Sequence, residues 1–315
     1  MPDYGHELQF GYFLIPEAGD PAGVLETARL ADELGYDLLG VQDHPYQRAH
    51  LDSLSLLATI LGQTRRVRVF QDVGNLPLRP PAVLAKAAAT LDLLSGGRFE
   101  LGIGGGGFLD AVRAMGGPEL SAGESVDALE EGVEVIRAMW SGERSPRFHG
   151  VHYRLDGVHP GPAPSRRMEV WIGAAKPRAL GLVGRLGDGW VAPLMNYVPP
   201  AEAAVGNATI DKAAREAGRD PREIRRIFST PGAFIPTAPA PATDSDKEIL
   251  GPPERWVDVY THLALEMGFS TFVLIADPEA ETLRTFIEDV APQVRDRVSE
   301  ARDGLVAPPR LAEPS

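Results

Sequence analysis

The 315-residue chain contains no cysteine, which excludes disulfides, thiolate nucleophiles and cysteine-held metals. No apolar run approaches the ~18 residues that would read as a membrane span. The N-terminal stretch carries Asp3 and Glu7 and lacks the basic-then-apolar pattern of a secretory signal, so the expectation is a cytoplasmic protein. Positive charge is also in deficit: 31 Lys and Arg stand against 44 Asp and Glu, a formal net charge of −13. That balance argues against nucleic acid or anionic membrane as partners, and solubility alone accounts for it. A metal motif is missing too. His149, His152 and His159 come without a carboxylate pattern, and strand alternation puts His149 and His152 on opposite faces.

What the chain does have is a repeat. Short apolar runs at 8–15, 37–41, 67–73, 99–103, 169–173, 190–194, within 226–235 and at 271–276 read as strands. Between and after them lie amphipathic stretches at 21–34, 52–61, 81–95, 125–140, 178–186, 200–217, 254–267 and 280–302, several opened by proline and closed by glycine. Eight such units predict a closed (β/α)8 TIM barrel rather than an open sheet. Hydrophobic residues make up 43% of the chain, enough for a sizeable core in one domain over 1–303.

Two stretches break the repeat. Residues 141–167, with Phe148, Val151, Tyr153 and Leu155 around Gly150, read as a β-hairpin inserted after the fourth helix, above the barrel mouth. Residues 236–253, rich in proline, alanine and small polar residues, read as an extended, mobile loop after the seventh strand. The last segment, 304–315, reads as a disordered tail.

The carboxyl ends of barrel strands are where active sites sit, and here they carry polar and glycine residues. The second strand runs into Gln42-Asp43-His44-Pro45, where proline holds His44 extended. A carboxylate and an imidazole side by side can bind or relay a proton near neutral pH; the strand-end position favours this over a turn cap and a half-buried histidine. The third strand ends Asp72-Val73-Gly74-Asn75, where glycine permits close backbone approach and Asn75 can donate and accept, although a simple turn explains Gly-Asn equally well. The fourth ends in Gly104 to Gly107. Its formal G-x-G-x-x-G match lacks the later acidic residue of a dinucleotide fold, so that reading is rejected. The fifth ends Gly173-Ala174-Ala175-Lys176 just before a helix, a pattern that exposes backbone amides to an anion, with Lys176 either adding charge or remaining a solvated lysine.

The segment VRVFQDVGNLPLRPPAVLAKAAATLDLLSGGRFELGIGGGG, residues 67–107, closely resembles the luciferase-like family of flavin- and deazaflavin-dependent oxidoreductases. RALGLVGRLGDGWVAP at 178–193 is a second strong match, and the resemblance extends over about residues 8–300. It implies a planar redox cofactor held noncovalently at the barrel mouth. Asp43 and His44 are then catalytic, beside the pyrimidine edge or reactive face of the ring. Val73, Gly74 and Asn75 form a bulge against the ring, with a non-prolyl cis peptide common at this place in the family. Gly104, Gly105 and Gly106 pass beneath the cofactor side chain, and Gly173, Ala174, Ala175 and Lys176 hold its phosphate. Asp110 stands where the family commonly has an acidic residue, and it equally suits a helix cap. Two branches follow: hydride transfer to or from a small organic substrate through coenzyme F420, which Asp43-His44-Pro45 favours, or oxygen-using FMN monooxygenation. A homodimer and a separate flavin or F420 reductase are further expectations. Phe148, Tyr153, Met195, Asn196 and Tyr197 are expected to line the mouth, while Asp43 and His44 disfavour a flavin-binding relative without turnover and polar groups at three consecutive strand ends disfavour an inert barrel.

Overall fold

Most helices in this chain start where the sequence supplies a side-chain cap or a proline. Asp20 accepts from the Gly23 amide at 3.0 Å and Pro21 opens α1 (Pro21–Leu34), while Gly35, at φ 90°, closes it in the left-handed conformation that glycine adopts without penalty. Asp52 caps α2 (Ser53–Gln63), and Ser121 with Glu124 forms a reciprocal capping box at α4 (Ala122–Trp140). The remaining long helices are α3 (Pro81–Ser95), α5 (Pro177–Leu186), α6 (Pro200–Glu216), α7 (Pro253–Leu265) and a final helical stretch in three parts, Ala280–Arg284, Thr285–Val290 and Ala291–Arg302. Its middle part is a π-turn rather than the continuous helix expected. Pro292 has no N–H to give the preceding turn, and the wider turn lies just before it. The structure, a computed structural model, describes residues 3–305 and 311.

The strands are β1 (Gln9–Leu14), β2 (Leu38–Val41), β3 (Arg68–Gln71), β4 (Phe99–Gly104), β5 (Val170–Gly173), β6 (Gly189–Val191), β7 (Arg225–Phe234) and β8 (Thr271–Ile275). All pair in parallel with their neighbours, and β1–β8 and β6–β7 pairing closes the eight-stranded barrel. Alternation divides the apolar residues between two layers. Phe13, Leu38, Phe70, Trp171, Val191, Ile227 and Val273 fill the lumen, and the outward residues pack beneath the helices as the larger core.

Two expectations about the insertions need correction. The hairpin exists, Arg147–His149 against Arg154–Asp156, but it lies on the barrel's flank. The Glu131 carboxylate, on α4, accepts from the amides of Val151, His152 and Tyr153, and the returning chain follows α3, where Asp92 accepts from Ser165. The Glu131 carboxylate on α4 supplies the acceptors that hold the hairpin tip there. Nor is 236–253 a free loop. Ile249–Gly251 adds a parallel strand to the end of β7, which at ten residues outruns the barrel and leaves a free edge. Ile249 is buried there, and Asp246 is tied to Arg255 at 3.2 Å and to the Thr243 hydroxyl at 2.7 Å. The expected tail at 304–315 lies, apart from Gly304, Leu305 and Leu311, outside the described residues; Leu311 is half-buried against the core.

Candidate active site at the barrel mouth

The carboxyl ends of β2, β3 and β4 converge on one polar knot. Asp43 is only 2% exposed. Its two oxygens accept from the Ser53 hydroxyl (2.8 Å), the Asn75 amide (2.8 Å), the Gln71 side chain (3.2 Å) and two nitrogens of Arg79 (2.7 Å each). Burial works against the Arg79 charge, but Asp43 and Asp52 together hold its guanidinium above the ordinary arginine range. With its lone pairs filled and its charge matched, Asp43 is a fastener joining β2, α2 and the Gly74–Asn75 segment. A proton relay needs a free lone pair, and this carboxylate keeps none.

His44, its neighbour, faces differently. The half-buried ring stacks on Tyr46 at 5.4 Å and on His50 at 6.3 Å, and Phe108 meets it edge-on at 5.6 Å. Burial, then the neighbouring His50, pushes the imidazole below its ordinary pKa, against an opposing pull from Asp43. It is therefore neutral at pH 7 and can donate from one nitrogen and accept at the other. Phe108 is 59% exposed although apolar, and so forms an open aromatic wall beside it. Among the described residues, His50 Nδ1 and Asn75 Oδ1 nearby are buried atoms without a hydrogen-bond partner, while the Tyr46 hydroxyl meets the Asn75 side chain. Native interiors leave few such groups unmatched, and two at one mouth mark a place where a polar ligand edge would satisfy them.

The bulge expected near Val73-Gly74 is present. After β3 the chain leaves the ladder through a cis Asp72-Val73 peptide, then rejoins β4 as a two-residue strand, Gly74–Asn75. The glycines around it have local explanations. A Cβ on Gly104 would lie 2.9 Å from Val73 Cγ2, and one on Gly173 would lie 2.7 Å from the same methyl. Gly105 is kept small by Ser125, whose hydroxyl donates to its carbonyl at 2.6 Å, and Gly106 has φ +87°. Gly104 and Gly173 are thus required by the valine that bulges between them, and only Gly107 opens onto free space.

At the end of β5 the buried Ala174 gives its carbonyl to Trp190 at 2.9 Å, while Ala175 and Lys176 are exposed. Lys176 occupies the cap position of α5 and makes no side-chain cap bond, which leaves the first-turn amides facing outward beside its ammonium. Asp110 is fully exposed and lies 3.5 Å from Arg113, an acidic residue in the first turn of a short helix, Leu109–Ala114. Met195 is buried in the outer core, Asn196 and Tyr197 are exposed, and Phe148 and Tyr153 pack on the flank.

Several site residues escaped the sequence reading. Arg79 and Ser53 act through long-range bonds that no local pattern announces. Asp72 was legible in principle: strand alternation places it on the lumen face with Phe70, two residues earlier.

Known proteins of similar sequence and fold can be set beside this chain. A dehydrogenase from Nocardia farcinica, named F420-dependent glucose-6-phosphate dehydrogenase, is 33% identical over 232 residues, covering 70% of this chain and 68% of its own. One of the same name from Microbacterium testaceum is 26% identical over 294 residues, covering 88% and 87%. Among solved structures, an F420-dependent secondary alcohol dehydrogenase in complex with an F420-acetone adduct superposes with a TM-score of 0.79 at 21% identity, over 92% of this chain and all of that one. Residues 8–240 match the family described as luciferase-like monooxygenase. The chain belongs to that family.

Proposed function

We propose that this protein is an F420-dependent oxidoreductase that moves a hydride between the deazaflavin and a small organic substrate bearing a hydroxyl or carbonyl. The mouth fits such a group. The unmatched His50 Nδ1 and Asn75 Oδ1, beside the Tyr46 hydroxyl, suit the heteroatom edge of a flat heterocycle, and the open first turn of α5 with Lys176 suits its phosphate. The single observation that carries the reading is this pairing of an unsatisfied polar rim with an uncapped helix start across one barrel mouth. The F420-dependent names of the curated relatives favour the deazaflavin over FMN.

When bound, the cofactor supplies the hydride chemistry. The chain's own residues bind, orient and exclude water. His44 presents a neutral imidazole to the substrate oxygen, which it can polarise by donating a hydrogen bond. Asp43 acts as a positioning residue, because it fixes the Asn75 backbone and the strand end that carries His44. Val73, packed between Gly104 and Gly173, would be among the residues that hold the ring. The exposed Phe108 face supplies an apolar wall. The reading further takes the chain to be cytoplasmic and homodimeric, with a separate F420 reductase recycling the coenzyme.

Mixing the protein with oxidised F420 and a panel of alcohols and sugars, and following the cofactor's visible absorbance, tests the assignment. Loss of absorbance with at least one alcohol is expected. No change with any alcohol, and no reoxidation of reduced F420 by the corresponding carbonyls, would overturn it.

A further inference from the structure

Inside the rim, one ionisable group is left without a charged partner. The Asp72 carboxylate points into the barrel, with Oδ2 3.2 Å from the Ser229 hydroxyl on β7 and 3.0 Å from the position a Cβ on Gly40 would take on β2. Glycine at residue 40 is what leaves room for it, beside the Phe70 ring. Among the described residues Ser229 is its one hydrogen-bond donor, and no Lys, Arg or His forms a salt bridge with it. Asp43, on the same rim, shows the contrast: there the chain provides five contacts, two of them from an arginine. A fold that can match one carboxylate so fully, and leaves the next one facing the mouth with a single hydroxyl, sets the second apart.

We propose, resting on the deazaflavin reading above, that Asp72 is the proton-exchanging residue of this site, taking the hydroxyl proton when an alcohol is oxidised and returning it when a carbonyl is reduced. The balance is simple. The carbinol C–H bond breaks with its electron pair, which leaves as hydride to the deazaflavin. The O–H bond breaks, its electrons form the carbonyl, and its proton joins an Asp72 oxygen. Asp43, which the motif makes the obvious candidate, has no lone pair for this step.

Burial raises the Asp72 carboxyl to about 7, and the Ser229 hydrogen bond is the one influence that lowers it. The groups facing it are Gly40 from β2, Phe70 from its own strand and Ser229 from β7, none of them charged. A carboxyl poised near neutrality exchanges protons in both directions, the condition in which general acid–base catalysis is most efficient.

The test uses F420-loaded wild type, Asp72→Asn and Ser229→Ala. Infrared difference spectra between wild type and Asp72→Asn isolate the carboxylic C=O stretch of this one side chain across a pH series. The expected result is a band that titrates near pH 7, a kcat profile with the same inflection, and loss of that inflection in Asp72→Asn with kcat lower by about 100-fold. In Ser229→Ala both inflections move to higher pH, a shift that a merely structural carboxylate would not transmit to kcat. A band titrating in the ordinary carboxylate range of about 4, or an unchanged kcat profile in Asp72→Asn, would overturn the proposal. Should Asp72→Asn fail to fold, the Ser229→Ala shift decides. Failure of wild type to bind F420 would overturn the underlying reading, and is recognisable because it precedes any substitution.

Discussion

Arg79 closes on both oxygens of Asp43, with Nε–Oδ2 and Nη2–Oδ1 each at 2.7 Å, and its Nη2 also reaches Asp52 at 2.7 Å. This fork makes the first acidic residue of the Asp-His pair a structural anchor and leaves the histidine to face the mouth. Replacing Arg79 by Met would strand a buried carboxylate, so stability should fall by about 3–5 kcal/mol. Urea denaturation measures it, and Asp43→Asn added to the same variant should recover part of the loss. A loss below about 1 kcal/mol would mean that water replaces the arginine, as at surface pairs.

In the proposed function His44 meets the substrate, and its ring makes only stacking and edge contacts with Tyr46, His50 and Phe108. His44→Asn should therefore lower kcat by about 100-fold while F420 affinity changes little and the melting temperature holds. Its kcat profile should keep the inflection near pH 7, because that inflection belongs to Asp72. Steady-state kinetics over a pH series, alongside fluorescence titration of F420, separates the two residues.

Lys176 and the first turn of α5 form the proposed phosphate contact. Lys176→Ala should weaken F420 binding by about 5- to 10-fold, the size of one partly exposed charge contact, and leave binding of a phosphate-free deazaflavin unchanged. Equal losses for the two ligands would place the lysine elsewhere in the site.

Val73 and Gly173 compete for the same space. A methyl added by Gly173→Ala would sit 2.7 Å from Val73 Cγ2, so the variant should lose about 1–3 kcal/mol by overpacking. Val73→Ala in the same chain should restore most of it. Thermal or urea unfolding of the four-protein cycle checks the coupling.

Asp72 also predicts an unusual pH dependence of stability. Its folded pKa, about 7, lies above the unfolded value of about 3.9. Between these values the folded state keeps a proton that the unfolded state has released, so stability falls as pH rises through the window and levels off above it. At ~1.4 kcal/mol per pH unit, the loss across this window is about 4 kcal/mol. Asp72→Asn should remove it, matching wild type at pH 4 and exceeding it at pH 8. Equal stability of the two proteins at both pH values would contradict the assignment.

The sequence made the architecture legible because barrel strands are short, apolar and separated by well-marked helices. Pro21, Gly35, Pro81 and Gly96 bracket α1 and α3 where the expectation put them. The insertions were less readable. Glu131, which holds the hairpin tip, belongs to a helix about 20 residues earlier, and Ile249–Gly251 is a strand only because β7 runs past the rim. Within the site, the motif residues Asp43 and His44 were visible as a pair, but their division of labour was not. That division depends on Arg79, which arrives across 36 residues of chain. The glycines at 104 and 173 were legible as room for a ligand, whereas the Val73 methyl that a Cβ on either would meet was not. Alternation along β3 did place Asp72 in the lumen with Phe70, a signal outshone by the Asp-His pair.

The central claim is that this barrel mouth is built for a deazaflavin. Calorimetric titration of the purified protein with F420 and with FMN, each oxidised and anaerobically reduced, tests it most directly. The account predicts saturable binding of F420 at least tenfold tighter than FMN. Tighter binding of reduced FMN would contradict it and turn the protein toward oxygen-using chemistry.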